Sequence, residues 1–578
     1  MMSDPVSLRE QESPIQLASS LDFPVVWESP EDQTFFFLHE RTHFPEQVKP
    51  LDFFLNVKKM EEGFNLAAFA YGLPVRLHDR LINTYVYEAI VSCSSSSEAT
   101  ITQADQWQAK VTAAMFSLDD LWANQWLPEI KVLLAYWETY NLRTASLSAL
   151  LQHLKTTEKH LQRLWEIHFS LFFPMMLGIE QFVEMYHDLF DGAQFEAYEL
   201  LAGFENQSLA RDQALWALSR EALASPAVCR ILADGGERDA MTSFTEAEDA
   251  RLFWEKLNDY LLRYGRQGDK WSLDDPTWLE DPTPVLMQLK DYITQPDRDF
   301  AAEMKRRGEQ REQCIAQARR KLERYPQPIV AQFEQQLRIA QHANTLSEDH
   351  AYWLDYQALY HTRRILLEIG CRLVDLGAID TVDAIFYLTL TELQEALAMP
   401  SSSSLCQLVD ERRNQERHFS QIKPPLILGT VPSDAPPEDT FSRALAKFFG
   451  GPPLTSETPN EIQGYPGSPG IVRGPAKILN SLEEVDQVAP GDILVTETTA
   501  PPWTPLFGSV AAIVTDTGGI LSHCAVVARE YGIPAVVGAG IATTTIQNGQ
   551  MIEVDGNSGV VRVLASLGRY KEELPLPR

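Results

Sequence analysis

The sequence predicts a multidomain protein of mixed α + α/β class: a large, mostly helical body followed by a C-terminal β/β/α domain. Three observations carry that prediction. Helical periodicity dominates from about Gln103 to Ala398, with apolar residues near i, i+3, i+4 and i+7. A stretch rich in proline and glycine, 424–463, then interrupts it. From Gly464 the composition turns to short apolar runs separated by glycines, with one helical segment in their midst. At 578 residues the chain is too long for one core and predicts about two to four domains.

Taken in order, residues 1–20 are polar and acidic and read as a disordered N-terminus. Residues 21–102 are mixed, with a strand-like "TFFFL" at 34–38 and turns marked by "HFPEQVKPLDFF". Residues 103–423 form the helical body. One of its stripes is Ile365, Leu366, Ile369, Leu373 and Leu376, and "MPSSSS" at 399–404 breaks the pattern before a short charged helix, "LVDERRNQERHF". Residues 424–463 read as a hinge that would let a downstream domain travel tens of ångströms, at about 3.3 Å per extended residue. In 464–566 the expected strands are "AKIL" (476–479), "DILVT" (492–496), "AAIVT" (511–515), "AVV" (535–537), "MIEVD" (551–555) and "VVRVL" (560–564). A helix over about Cys524–Tyr531 is closed by Gly532 and Pro534, and a second is expected at 482–488. Residues 567–578 read as a tail.

A formal charge of −31 opposes binding to nucleic acid or an anionic membrane surface. Six widely spaced cysteines without a Cys-x-x-Cys pair suit free thiols in a reducing compartment. With neither a signal-like N-terminus nor an apolar run of membrane-spanning length, the expected location is cytoplasmic.

The chemistry centres on "TDTGGILSHCAVVAREYGIPAVVG", 515–538. Gly518-Gly519 permits close backbone approach, and His523 falls at a helix start, where free N–H groups and the dipole favour anions. An imidazole there can act as a nucleophile at neutral pH and carry a phosphoryl group. A Ser-His pair at a helix start is also an ordinary cap, and spacing alone does not separate the two readings.

The longer motifs do. "GSPGIVRGPAKIL" (467–479), "PGDILVT" (490–496), "WTPLF" (503–507), the His523 stretch and "NGQMIEVDGNSGVV" (548–561) make Gly464–Leu564 closely resemble the mobile phosphohistidine, or swivelling, domain of the phosphoenolpyruvate-utilising enzymes. The form "GGILSH" resembles the rifampicin phosphotransferase / phosphoenolpyruvate synthase branch. The resemblance implies that His523 is phosphorylated, that the domain swings between a nucleotide site and an acceptor site, and that Thr515, Gly518, Gly519, Ser522 and Arg529 form or support a phosphate cradle. Arg529, six residues after His523, is expected in an intradomain salt bridge more than on the phosphate.

The body resembles the acceptor-binding domain of the same branch through "LLAGFENQS" (200–208), "WSLDDPTWLEDPTPVL" (271–286) and "LSEDHAYWLDY" (346–356), among others. Asp349 and His350 are its first candidate substrate-binding residues. His153, His160 and His168, seven and eight apart, make no metal site of recognised spacing, and no metal site is expected in this chain. The branch reads "YGHRG" followed by a glutamate where this chain has "YGRQGDKW" (264–271), so Arg266, a third candidate, stands with Gln267 and Asp269 in an altered cluster. Nothing before Gln103 is long enough for an ATP-grasp domain, and no lysine-bearing phosphate loop appears. ATP and Mg²⁺ are therefore expected on a separate ATP-grasp partner, with no covalent cofactor here and a small organic acceptor in the body. The alternatives are an acid/base enzyme of the dehydratase or lyase kind that uses His523 without phosphoryl transfer, and a non-catalytic small-molecule binding protein.

Overall fold

The computed structural model describes residues 16–17 and 23–564, apart from 94–96, 191–194, 235–243, 245–249, 297, 400–404, 432–439, 452, 453, 455, 457, 459 and 500. The expected disordered N-terminus (all but 16–17), the "SSSS" break and the tail lie outside the described residues.

The body is organised around one 44-residue helix, Leu147–Phe190, whose interior Pro174 is buried. Helices Lys58–Tyr71, Gln327–His350 and Tyr356–Asp375 pack against it. The first packs so closely that a Cβ on Gly63 would fall 2.4 Å from the Cβ of Trp165. A second apolar cluster, with Trp216, Phe253, Tyr260, Trp278 and Tyr292, joins helices Gln207–Ala224, Arg251–Tyr264 and Thr283–Ile293. Three single π-turns, Phe53–Val57, Trp122–Trp126 and Ala351–Asp355, interrupt the helices, a departure often found at functional sites. No helix among the described residues is long and apolar enough to cross a membrane. All six cysteines are free thiols.

A small sheet caps the body. Its strands are β1 (Gln16–Leu17), β2 (Phe36–His39), β3 (Val75–Ile82), β4 (Tyr85–Ser92) and β5 (Ile427–Thr430), in the order β1-β5-β2-β4-β3. The presence of β5 corrects the reading of 424–463 as a featureless hinge. That segment contributes a strand to the body's sheet and a helix, Thr440–Phe449, that lies on the long helix. Phe448 and Phe449 meet the Phe172 ring at 5.1 and 5.8 Å, and Lys447 pairs with buried Glu180. The periodicity was hidden by the prolines on either side.

The C-terminal domain is one eight-stranded sheet: β6 (Glu461–Gln463), β7 (Tyr465–Ser468), β8 (Ile471–Ile478), β9 (Ile493–Thr496), β10 (Ala512–Thr515), β11 (Ala535–Val537), β12 (Met551–Asp555) and β13 (Val560–Val563). The order is β6-β13-β12-β8-β9-β10-β11-β7, with β8 through β11 parallel and the outer strands antiparallel. Because β6 pairs with β13, the unit begins at Glu461 rather than Gly464. Helix His523–Tyr531 follows β10 through the glycine loop, and the segment 482–487 is a 3₁₀ helix.

This domain is docked on the body. Ile520 and Leu521, 6% and 4% exposed, belong to the body's own apolar core, a contact that contributes about 1.5–3 kcal/mol for each side chain. Tyr531 packs on the second cluster. Glu530 accepts two hydrogen bonds from the Gly203 amide at 3.0 and 3.1 Å, and Arg307 donates to the Glu530 carbonyl at 3.0 Å.

Candidate active site at the domain interface

His523 is the first residue of its helix, with Ser522 in extended conformation at the N-cap, so the imidazole projects where the helix amides are unpaired. Its two nitrogens have different neighbours. Nδ1 lies 3.4 Å from Oε1 of Glu348, a body residue at the end of helix Gln327–His350. Nε2 lies 3.2 Å from the Thr504 hydroxyl of the "WTPLF" segment. A carboxylate only accepts, so Nδ1 carries the proton and Nε2 is left with its lone pair. The His523 and Glu348 side chains are 14% and 8% exposed.

Glu348 is held in turn by Ser208, which donates to its Oε2 at 2.9 Å. Burial pushes the Glu348 carboxyl up, but the His523 imidazole and the Ser208 hydroxyl pull it below the ordinary value, so it is a carboxylate. Beside them Arg211 clamps Asp212 through Nε and Nη2 at 2.9 and 2.8 Å, and Tyr531 donates to the other Asp212 oxygen at 3.2 Å. Burial raises the Asp212 carboxyl, and Arg211 opposes the rise. The result is a buried polar seam, Ser208–Glu348–His523–Thr504 and Arg211–Asp212–Tyr531, built half from each domain.

The expected cradle residues meet different fates. Thr515 is fully buried and donates to the Thr517 carbonyl at 2.8 Å, a turn-holding role. Gly518 has φ +91°, and a Cβ there would meet Ser522 at 2.9 Å. Ser522 Oγ is buried with no hydrogen-bond partner among the described residues, a hydroxyl beside His523 that an oxyanion would satisfy. Gly519 does not open the loop to a ligand here. It admits the C-terminal turn of helix Thr440–Phe449: its amide donates to the Phe448 carbonyl at 3.1 Å, and the Leu521 amide donates to the Lys447 carbonyl at 2.6 Å. A Cβ on Gly519 would lie 2.3 Å from that carbonyl oxygen of Lys447. Arg529 forms no salt bridge among the described residues. Its Nη1 donates to the carbonyls of Gly467 and Ile520 at 2.6 and 2.8 Å while its guanidinium covers the Tyr198 ring, so it supports the loop from behind.

The three candidates in the body are not brought to His523. Asp349 accepts the Gln207 amide at 2.7 Å, where helix Gln207–Ala224 begins, and burial raises its carboxyl to about 6. His350 faces His168 and Asp355. Arg266 donates to Glu138 and Gln357 at 2.9 and 2.8 Å and lies over Tyr360. Its neighbour Gln267, buried, is the member of the altered "YGRQGDKW" cluster that reaches the seam, accepting from Arg211 at 3.2 Å. Sequence reasoning missed Glu348, Ser208, Arg211, Asp212, Thr504 and Tyr531. Thr504, Ser208, Glu348 and Tyr531 lie inside the motifs "WTPLF", "LLAGFENQS", "LSEDHAYWLDY" and the His523 stretch, but only docking shows which residues gather round His523. A cavity of about 440 Å³, lined by Val183, Glu184, His187, Asp188, Tyr198 and Lys447, lies against the hinge helix and does not include His523.

Residues 488–559 match the family model of the PEP-utilising enzyme mobile domain, and residues 168–347 match that of the rifampicin phosphotransferase fourth domain. A chondramide synthase of Chondromyces crocatus is 41% identical over 97% of this chain, which spans 15% of that protein. The uncharacterized phosphotransferase YvkC of Bacillus subtilis is 32% identical over 69% of this chain and 47% of its own length. The rifampicin phosphotransferase of Bacillus cereus is 28% identical over 56% of this chain and 36% of its own length. The chain thus spans less than half the length of each of these relatives.

Proposed function

From a chain that carries the mobile domain of PEP-utilising enzymes joined to a rifampicin-phosphotransferase-type helical domain, we propose phosphoryl transfer through His523 to a small organic acceptor bound at the body. The observation that carries this reading is the asymmetric setting of the imidazole: Nδ1 3.4 Å from the Glu348 carboxylate and Nε2 3.2 Å from the Thr504 hydroxyl. A carboxylate on Nδ1 fixes the tautomer and raises the nucleophilicity of Nε2.

In the loading step Nε2 attacks a phosphorus of ATP held, with Mg²⁺, on a separate ATP-grasp protein. The N–P bond forms as the P–O bond to the nucleotide leaving group breaks. In the delivery step an acceptor hydroxyl oxygen attacks the same phosphorus, the N–P bond breaks, and the hydroxyl proton leaves to solvent or a nearby base. The docked arrangement supports assignment to the delivery half, since His523 faces residues of the body. The Ser522 hydroxyl, buried without a partner among the described residues, is a candidate to receive phosphoryl charge.

One observation favours a second reading. The His523–Glu348 pair is closed and buried, and it resembles an oriented general base in geometry alone, which would suit acid/base chemistry on a metabolite without ATP. One experiment separates the two. The chain is incubated with β- and γ-labelled ATP and candidate ATP-grasp partners, and acid-labile label is sought in the wild type and in His523→Gln. Label on the wild type alone, discharged by acceptor, supports transfer. Turnover of a metabolite without ATP, with no label under any pairing, overturns it in favour of acid/base chemistry.

A further inference from the structure

Three side chains that the seam does not use meet inside the body. His168 lies on helix Leu147–Phe190, His350 closes helix Gln327–His350, and Asp355 ends the π-turn Ala351–Asp355 that follows. One donor atom from each lies within 4.8 Å of the others. His168 Nδ1 is 2.9 Å from Asp355 Oδ1, and His350 Nε2 is 4.0 Å from Asp355 Oδ2. The two rings stand 4.8 Å apart between centroids at an interplanar angle of 65°. Their side chains are 11%, 12% and 1% exposed.

Two details distinguish this group from a self-satisfied hydrogen-bonded cluster. Asp355 Oδ2 is buried without a hydrogen-bond partner among the described residues, a costly condition for a charged group. His350 Nδ1 lies 2.8 Å from the Leu346 carbonyl, which can only accept, so Nδ1 carries the hydrogen and Nε2 presents a lone pair. A lone pair and a carboxylate oxygen therefore stand 4.0 Å apart with no proton to share. Two acceptors so placed repel unless a cation lies between them.

We propose that His168, His350 and Asp355 form a binding site for a divalent first-row transition-metal cation of the zinc class. Two imidazoles and one carboxylate suit zinc and its borderline neighbours over magnesium or calcium, which prefer all-oxygen shells. Tetrahedral bonds of about 2.0–2.1 Å place donor atoms roughly 3.3 Å apart, and one donor atom of each residue lies within 4.8 Å of the others, so side-chain rotation would draw them onto a shared cation. The Leu346 carbonyl is the outer partner that a metal-bound imidazole ordinarily has. Three protein ligands leave a coordination position open, two residues along the chain from Glu348.

The test uses the full chain, stripped with a chelator and titrated with Zn²⁺ against a chromophoric chelator, and separately with Co²⁺ for visible d–d bands. One equivalent should bind tightly, and Co²⁺ should give the intense bands of a low-coordinate site. Asp355→Asn and His350→Gln should each weaken binding by more than the roughly 10- to 100-fold that loss of an outer partner costs. His523→Gln should bind as the wild type does, which separates this site from any role of the seam. Absence of stoichiometric binding, absence of the cobalt bands in the wild type, or equal affinity in both ligand variants would overturn the proposal. The cobalt spectrum of the wild type decides the matter even if a ligand variant fails to fold.

Discussion

At the scale of the residue, Glu348 and His523 act as a pair, and the consequences of separating them are specific. Glu348→Gln keeps the shape and the Ser208 hydrogen bond but removes the charge that fixes the His523 tautomer. Discharge of labelled chain by acceptor should slow roughly 10- to 100-fold, while labelling itself persists, as followed by single-turnover release. Because the Glu348 carboxyl is held below its ordinary value, its contribution to docking is present above the ordinary carboxylate range and is lost as pH falls through the lowered one. Asp275 has the opposite sign. Burial and the Asp269 charge raise its carboxyl to about 7 while it accepts the Asp269 and Lys270 amides. The folded state therefore holds this proton more tightly than the unfolded chain, and the stability it confers falls as pH rises from about 4 to 7. Asp275→Asn should raise the melting temperature at pH 8 and change it little at pH 4, by calorimetry at both. His523 was legible because its motif is contiguous in the chain. Glu348 was not, since Glu348, Asp349 and His350 are consecutive polar residues on one helix, and helix phase relative to a docked domain decides which one meets His523.

At the scale of the element, close packing shows where substitution is intolerable. A Cβ on Gly63 would meet Trp165 and the Glu166 backbone at 2.4 to 2.7 Å, so Gly63→Ala must push helix Lys58–Tyr71 off the long helix. A loss of about 1–3 kcal/mol is expected in denaturant unfolding, with the C-terminal sheet unaffected. The core strands of that sheet were readable from sequence because they are apolar runs bounded by glycine; 535–537 and 551–555 coincide with the observed β11 and β12. β6 and β7 were not, because "EIQ" and "YPGS" have little strand character and are fixed by pairing with β13 and β11. Helix Thr440–Phe449 was missed for a related reason. Its apolar face is satisfied by Phe172 and the glycine loop, partners hundreds of residues away or in another domain.

At the scale of the whole molecule, the body and the C-terminal domain are joined by contacts that can be removed singly. Glu530→Ala deprives the Gly203 amide of its acceptor, and the domain should leave the body for a larger fraction of time. The radius of gyration from small-angle scattering should rise, and an unchanged value would show that the remaining contacts, Ile520 and Leu521 among them, hold the dock without it. A fragment from 458 to 566, which keeps β6, should fold and, if the proposed transfer holds, take label in trans from the proposed ATP-grasp partner. A folded but unlabelled fragment beside an active full chain would favour the fixed acid/base reading. The division into helical body and C-terminal β-rich domain was visible in composition. Their docking was not, because it depends on surface complementarity that no local pattern encodes.

The strand Ile427–Thr430 and the helix Thr440–Phe449 turn the connecting segment into a leash with two lengths. While the helix stays on the body, eleven residues separate Phe449 from Glu461 along the chain. At about 3.3 Å each they reach at most roughly 36 Å. If the helix lets go, the anchor retreats to Thr430, and thirty residues, at most roughly 100 Å, come into play. A donor within the shorter radius asks only that the Gly519 and Leu521 amides release the helix, whereas a more distant one also demands that Phe172 and Glu180 let it go. The separation of the two stations thus decides whether the traveller keeps a foot on the platform.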